Sequence, residues 1–165
     1  TENFSNWGQF PLVYFIILMF IGGCAGSTTC GIKIFRVQIL YQFISSQLKK
    51  IIYPRGIFKI KYQNNNVDEK FMDSIISFIF LYILIFFVVT ALLSLDGLNF
   101  ITAISAAATS ISNVGPGLGD IIGPNGSFSS LSDFSKWVLS AAMILGRLEL
   151  FAILVLFIPS FWRKY

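Results

Sequence analysis

An all-α membrane protein organised around a membrane–pore-loop–membrane unit is the fold class that the sequence predicts. Of its 165 residues, 55% are apolar and only 12% are charged, and the mean hydropathy is +0.75. That balance leaves too little polar surface to cover a soluble globule, so a lipid bilayer is the expected solvent. Three apolar stretches are long enough to cross it. A fourth, about half that length, runs directly into a glycine- and proline-rich segment.

Taken in order, the first stretch is Phe10 to Phe35, inside an expected inner helix over 1–50. Its middle reads Gly22-Gly23-Cys24-Ala25-Gly26-Ser27-Thr28-Thr29-Cys30-Gly31. Each glycine costs a helix roughly 1 kcal/mol against alanine, so a break is expected over 22–31. Broken backbone at membrane depth is tolerated where it borders a cavity, and there it can act as a movable constriction. The alternative is a packing seam, with Gly22 and Gly26 in GxxxG spacing on an unbroken helix. A basic loop follows over 51–70. The second stretch, Phe71 to Leu95, carries no charge after Asp73 and reads as an uninterrupted span, the outer helix of the unit. The short stretch Asn99 to Ile111 favours a re-entrant or buried helix. Its Ala103, Ser105, Ala106, Ala107 and Ala108 would let neighbouring helices approach closely. The segment 112–117 brings the chain back outward, and Phe134 to Trp162 forms the last span.

Basic residues set the orientation, because lysine and arginine keep loops on the cytoplasmic side. Lys33, Arg36, Lys49, Lys50, Arg55, Lys59, Lys61 and Lys70 lie between the first two spans, and Arg163 and Lys164 follow the last. Asp96, Asp120 and Asp133 lie on the opposite side. From Phe71 the chain therefore goes out, dips back, returns to the outer face and crosses inward.

Two further motifs bear on chemistry. Ser112-Asn113-Val114-Gly115-Pro116-Gly117 follows the short helix. Carbonyls at membrane depth that no amide can reach are costly, yet they can replace the hydration shell of a cation. Gly115 permits unusual backbone angles and Pro116 removes a donor; a plain outward turn is the competing reading. Arg147 stands midway through the last span. A central arginine costs about 2.5 to 3.5 kcal/mol to insert and faces the bundle interior or water. Beside a cation path it would oppose passage by about 3 kcal/mol at roughly 6 Å and an effective dielectric near 20. Alternatively it serves a structural ion pair, although Glu149, two residues on, is poorly placed on the same helix.

Several classes are excluded or disfavoured. Cys24 and Cys30 have neither CxxC nor zinc-ligand spacing, and there is no histidine, so buried free thiols are expected. A net charge of +4 without base-stacking aromatics in a polar context argues against nucleic acid. Gly117-Leu118-Gly119-Asp120 matches the letters of intramembrane aspartyl proteases, but no second carboxylate lies within another span to share the proton; no enzyme is expected. Asn3-Phe4-Ser5 and Asn125-Gly126-Ser127 match the glycosylation sequon, a match too short to decide anything. Thr1 at the start, with no signal-peptide pattern, is expected to mark a fragment of a longer chain. A secondary transporter with broken helices at a midplane site would ordinarily place a carboxylate there, and only Glu149 lies deep. A scaffold whose glycines serve packing alone is the third possibility.

The runs IGGCAGSTTCGIKIFRV, AISAAATSISNVGPGLG and ILGRLELFAILVLFIPSFWR resemble, in that order, the membrane subunit of the TrkH/KtrB potassium transporters. The resemblance implies four potassium-channel-like repeats around one pore, with this chain giving the third repeat's inner helix (1–50) and the whole fourth repeat (71–165). It implies a K+ selectivity filter at Ser112, Asn113, Val114 and Gly115, with K+ held by the backbone carbonyls of Asn113, Val114 and Gly115. It further implies a gate at Gly22, Gly23, Gly26, Ser27, Thr28 and Gly31, and a pore barrier at Arg147. The transported K+ would be the only small-molecule requirement, with no organic cofactor. The expected partners are the lipid bilayer, the rest of the pore subunit, a second copy in a homodimer, and a cytoplasmic TrkA/KtrA-like nucleotide-binding ring. The implied location is a bacterial-type plasma membrane.

Overall fold

The computed structural model describes residues 7–156 and 159–162, save 25, 28, 63, 64, 120 and 149. The chain opens with α1 (Gln9–Phe20), leaves helical geometry, and resumes as α2 (Ile34–Ile52). A hairpin of two-residue strands follows, β1 (Lys61–Tyr62) antiparallel to β2 (Asn65–Asn66), with Lys61 opposite Asn66. Strands that short carry no alternation of polarity, so the sequence held no signal for them.

Next comes α3 (Glu69–Leu95), whose 27 residues give about 40 Å at 1.5 Å per residue. Among the described residues it is the one helix both long and apolar enough to cross a bilayer by itself. Then come α4 (Phe100–Ser112), a 3-10 turn at Phe128–Ser130 and α5 (Asp133–Arg147), followed by the short α6 (Leu150–Leu156) and α7 (Pro159–Trp162). The stretch 134–162, expected as one inner helix, leaves helical geometry at Leu148. That position comes one residue after Arg147 and two after Gly146, whose missing side chain makes it a weak helix former.

The short helix α4 is the centre of the fold, with α1, α3 and α5 packed against it. Every residue from Ser105 to Ser112 is buried, and Ala103, Ala106, Ala107 and Ala108 are fully so. Their methyl groups keep the neighbouring backbones close. Larger side chains from the flanking helices fill the remaining space: Phe78, Tyr82, Val89 and Leu93 from α3, Leu139 from α5. On the other side Met19 of α1 meets Ala108 and Leu118. A separate cluster joins α2 to the start of α3 through Ile39, Met72 and Ile75.

At the far end of α3 a polar tie fixes the loops. Asp96 caps that helix, and its Oδ2 accepts hydrogen bonds from the hydroxyls of Ser132 and Ser135, the latter at 2.6 Å. Ser132 is in turn the N-cap of α5 and accepts from the Ser135 amide at 3.1 Å. The Ser132 hydroxyl, then that of Ser135, holds the Asp96 carboxyl below its ordinary value. A lowered carboxyl contributes stability above the unfolded-state value, about pH 3.9, and loses it as pH falls through the lower folded-state value. Asp96→Asn should therefore lower the melting temperature at neutral pH. In thermal scans over a pH series, the gap between variant and parent should close below about pH 4.

Candidate functional site

The C-terminal end of α4 is built so that its amides and its carbonyls go separate ways. Asn113 takes the left-handed conformation, φ 52 and ψ 44, and closes the helix. Asparagine is among the few residues with a side chain that visit this region readily. The step turns the following amides back onto the helix: Asn113 N–H donates to Ser110 O at 3.2 Å, Val114 N–H to Thr109 O at 3.0 Å, and Gly115 N–H to Thr109 Oγ1 at 2.9 Å. Gly115 has φ +120, and a Cβ there would meet nothing within 4 Å. Backbone angle, and not room, is what demands glycine. Pro116 has no N–H to offer the Ser112 carbonyl, which an uninterrupted helix would have paired with residue 116. Among the described residues, no hydrogen bond reaches the carbonyls of Ser112, Asn113, Val114 or Gly115. The negative end of the α4 dipole lies at the same place and favours a cation.

The return of the chain is pinned as firmly. Leu118 N–H donates to the buried Ser105 hydroxyl at 3.0 Å, that hydroxyl lies 3.2 Å from Leu118 O, and Gly117 N–H donates to Ile122 O at 2.8 Å. Asp120, the acid of the protease-like motif, lies outside the described residues.

Two neighbours clasp the helix end. The buried Tyr82 of α3 shares a 2.7 Å hydrogen bond with the Ser112 hydroxyl. On α5, Met143 O accepts from Asn113 Nδ2 at 3.1 Å. Three residues on, Gly146 lies so close that a Cβ would stand 1.8 Å from Ile111 O. Sequence reasoning singled out none of Tyr82, Thr109, Met143 and Gly146 as functional. Tyr82 did leave a signal, a hydroxyl that needs a partner in the middle of a largely apolar span.

The glycine-rich stretch is a loop inserted into a continuing path. Ile21 and Ile32 form a parallel bridge, with Ile32 N–H donating to Phe20 O and Gly22 N–H to Ile32 O, each at 3.0 Å. The chain thus enters and leaves in the same direction, and residues between make a side excursion. Gly22 is where the two passes touch, since a Cβ there would stand 2.7 Å from Cys30 O; Gly31 turns the chain with φ +88. At Gly26 an added Cβ would meet open space, and neither Gly22 nor Gly26 lies on a helix. The GxxxG seam is therefore absent. Ser27 and Thr29 share a hydrogen bond, Gly23 packs beside both, and Thr28 lies outside the described residues. The two cysteines are free thiols, Cys30 buried and Cys24, contrary to expectation, exposed.

Arg147 meets this loop. Its Nη1 lies 3.7 Å from the Cys30 sulfur, and both border a cavity of about 90 Å3 that Ser27, Gly31, Tyr82 and Gly146 also line. Two motifs far apart in sequence therefore share one cavity, and Tyr82 and Gly146 touch both it and the end of α4. Glu149, the other partner considered for Arg147, lies outside the described residues.

A long outer helix, a short buried helix ending in unpaired carbonyls, and an inner helix clasped to that end define a membrane protein of the pore-loop class. Residues 1–164 match the profile of the TrkH family, described as cation transport protein, and the chain belongs to that family. It is 43% identical over 164 residues to the Trk system potassium uptake protein TrkI of Halomonas elongata, covering 99% of this chain and 33% of that one. To the Trk system potassium uptake protein TrkH of Escherichia coli it is 35% identical with the same coverage. Its fold matches the crystal structure of the potassium transporter TrkH from Vibrio parahaemolyticus with a TM-score of 0.87 and 35% identity, over 98% of this chain and 34% of the other. The chain thus spans about one third of the length of the relatives it matches.

The clasp yields a prediction. Gly146→Ala should force α5 away from Ile111 and cost about 1 to 3 kcal/mol by overpacking. A lowered melting temperature of the purified protein is the expected reading; an unchanged one would mean that α5 and α4 are not in this contact.

Proposed function

We propose that the chain contributes one quarter of a potassium-selective filter, together with a gate, to a potassium uptake protein of the plasma membrane. The observation that carries this is the divided backbone at 112–115. With the amides of 113–115 bonded to Thr109 and Ser110, their carbonyls are left to take the place of water around a dehydrated K+. The potassium uptake named for the relatives in Halomonas elongata and Escherichia coli supports K+ as the ion. No covalent step is required.

In this reading Phe71 to Trp162 is the fourth repeat, and residues 1–50 the inner helix of the third. The loop Gly22 to Gly31 is the gate, tethered at Gly22 and Gly31 and open at Gly26. Arg147 sets the electrostatic barrier from the loop's own cavity. The basic stretch Lys49 to Lys70 lies on the cytoplasmic side and offers part of the surface for a nucleotide-binding regulatory ring. The pore protein works as a homodimer, each copy holding its own path.

Two flux measurements on the whole protein in proteoliposomes test this. Gly115→Ala places a side chain on a φ of +120 and should reduce K+ over Na+ selectivity by about tenfold or more, since a strained residue costs of order 1–3 kcal/mol. Unaltered selectivity in folded protein would leave only a packing role for the segment. Arg147→Gln should raise K+ flux, up to a limit of about 100-fold, because repulsion of about 3 kcal/mol is removed.

A further inference from the structure

We infer that Tyr82 is a positioning residue for ion selectivity, acting on the filter through the hydroxyl of Ser112; this rests on the filter reading above. Tyr82 stands in the middle of α3 and is 1% exposed. Its ring is fixed on two sides, stacked on Phe78 at 6.1 Å and meeting Phe20 edge-on at 6.0 Å. A ring so held can deliver its hydroxyl to one place only, and that place is Ser112 Oγ, 2.7 Å away in a buried setting.

Ser112 is the residue at which this matters. It is the last of α4, its carbonyl accepts no hydrogen bond among the described residues, and Pro116 cannot return an amide to it. Asn113, next along, is held from the opposite side by its own side chain on Met143 O. The peptide joining 112 to 113 is therefore suspended between α3 and α5, with one side-chain hydrogen bond on each side. Its carbonyl direction is set by both. Selectivity between cations that differ by fractions of an ångström depends on how firmly such oxygens hold their positions. Tyr82 also borders the cavity shared by Arg147 and the glycine loop, and Phe20 is the last helical residue before that loop. The ring that steadies the filter end thus also rests on the root of the loop.

Tyr82→Phe removes the oxygen and keeps the ring. In full-length protein reconstituted into liposomes, its K+/Na+ permeability ratio should fall about three- to fivefold, the factor equivalent to one lost hydrogen bond. Ser112→Ala should produce the same fall from the other partner, and it keeps the idea testable if Tyr82→Phe folds poorly. The double variant should be no worse than either single one, because both remove one interaction. A folded Tyr82→Phe with an unchanged ratio, or falls that multiply in the double variant, would overturn the assignment. Gly115→Ala, measured alongside, separates the two levels. If it alters the ratio and Tyr82→Phe does not, the role of Tyr82 alone fails; if neither does, the filter reading fails with it.

Discussion

The left-handed step at Asn113 is the constraint on which the rest of this structure leans. A helix must stop with four carbonyls in excess, and each of them needs a partner from elsewhere. The usual remedy is a cap that brings later amides back to those carbonyls. Here the cap serves the helix, through Thr109 and Ser110, and in doing so uses up the amides of 113–115. The excess is not removed but moved one step along the chain, to 112–115. Pro116 prevents the next residue from cancelling it.

Such an arrangement persists only if its surroundings hold it, and the fold is organised to do so. The alanines of α4 let α1, α3 and α5 come close, and the closeness allows short polar contacts to act at defined points. Tyr82 reaches Ser112 from α3, Met143 receives Asn113 on α5, and Gly146 lies against Ile111 with no room for a side chain. Ser105 does the same for the returning chain at Leu118. Every buried side-chain nitrogen or oxygen among the described residues has a partner, so these polar contacts leave no buried side-chain group unsatisfied.

The glycine-rich loop is built on another principle. Its two ends are hydrogen-bonded to each other, so the path from α1 to α2 continues across it as if it were not there. An excursion closed at its root can move without unfolding the helices that flank it. Arg147 contacts the buried Cys30 in that excursion, next to the residue that touches α4. In the proposed function, barrier and gate are therefore neighbours of the filter end, though they come from different parts of the chain.

Composition, span lengths and the run of small residues were enough to determine a membrane protein with a short buried helix ahead of a filter-like segment, because hydrophobic length and glycine content act locally. The expected break at 22–31 follows from the same local property. Local signals could not distinguish a packing seam from a looped excursion, nor find the interruption at Leu148, nor say that Gly146 rather than its neighbour meets the end of α4. Those depend on which backbone surfaces come within hydrogen-bond reach. Tyr82 is the clearest case: its hydroxyl announced a need for a partner, but only the packing of α3 across α4 decided that the partner would be Ser112. A contact between residues thirty positions apart is set by the relative placement of two helices, which no single stretch of sequence encodes.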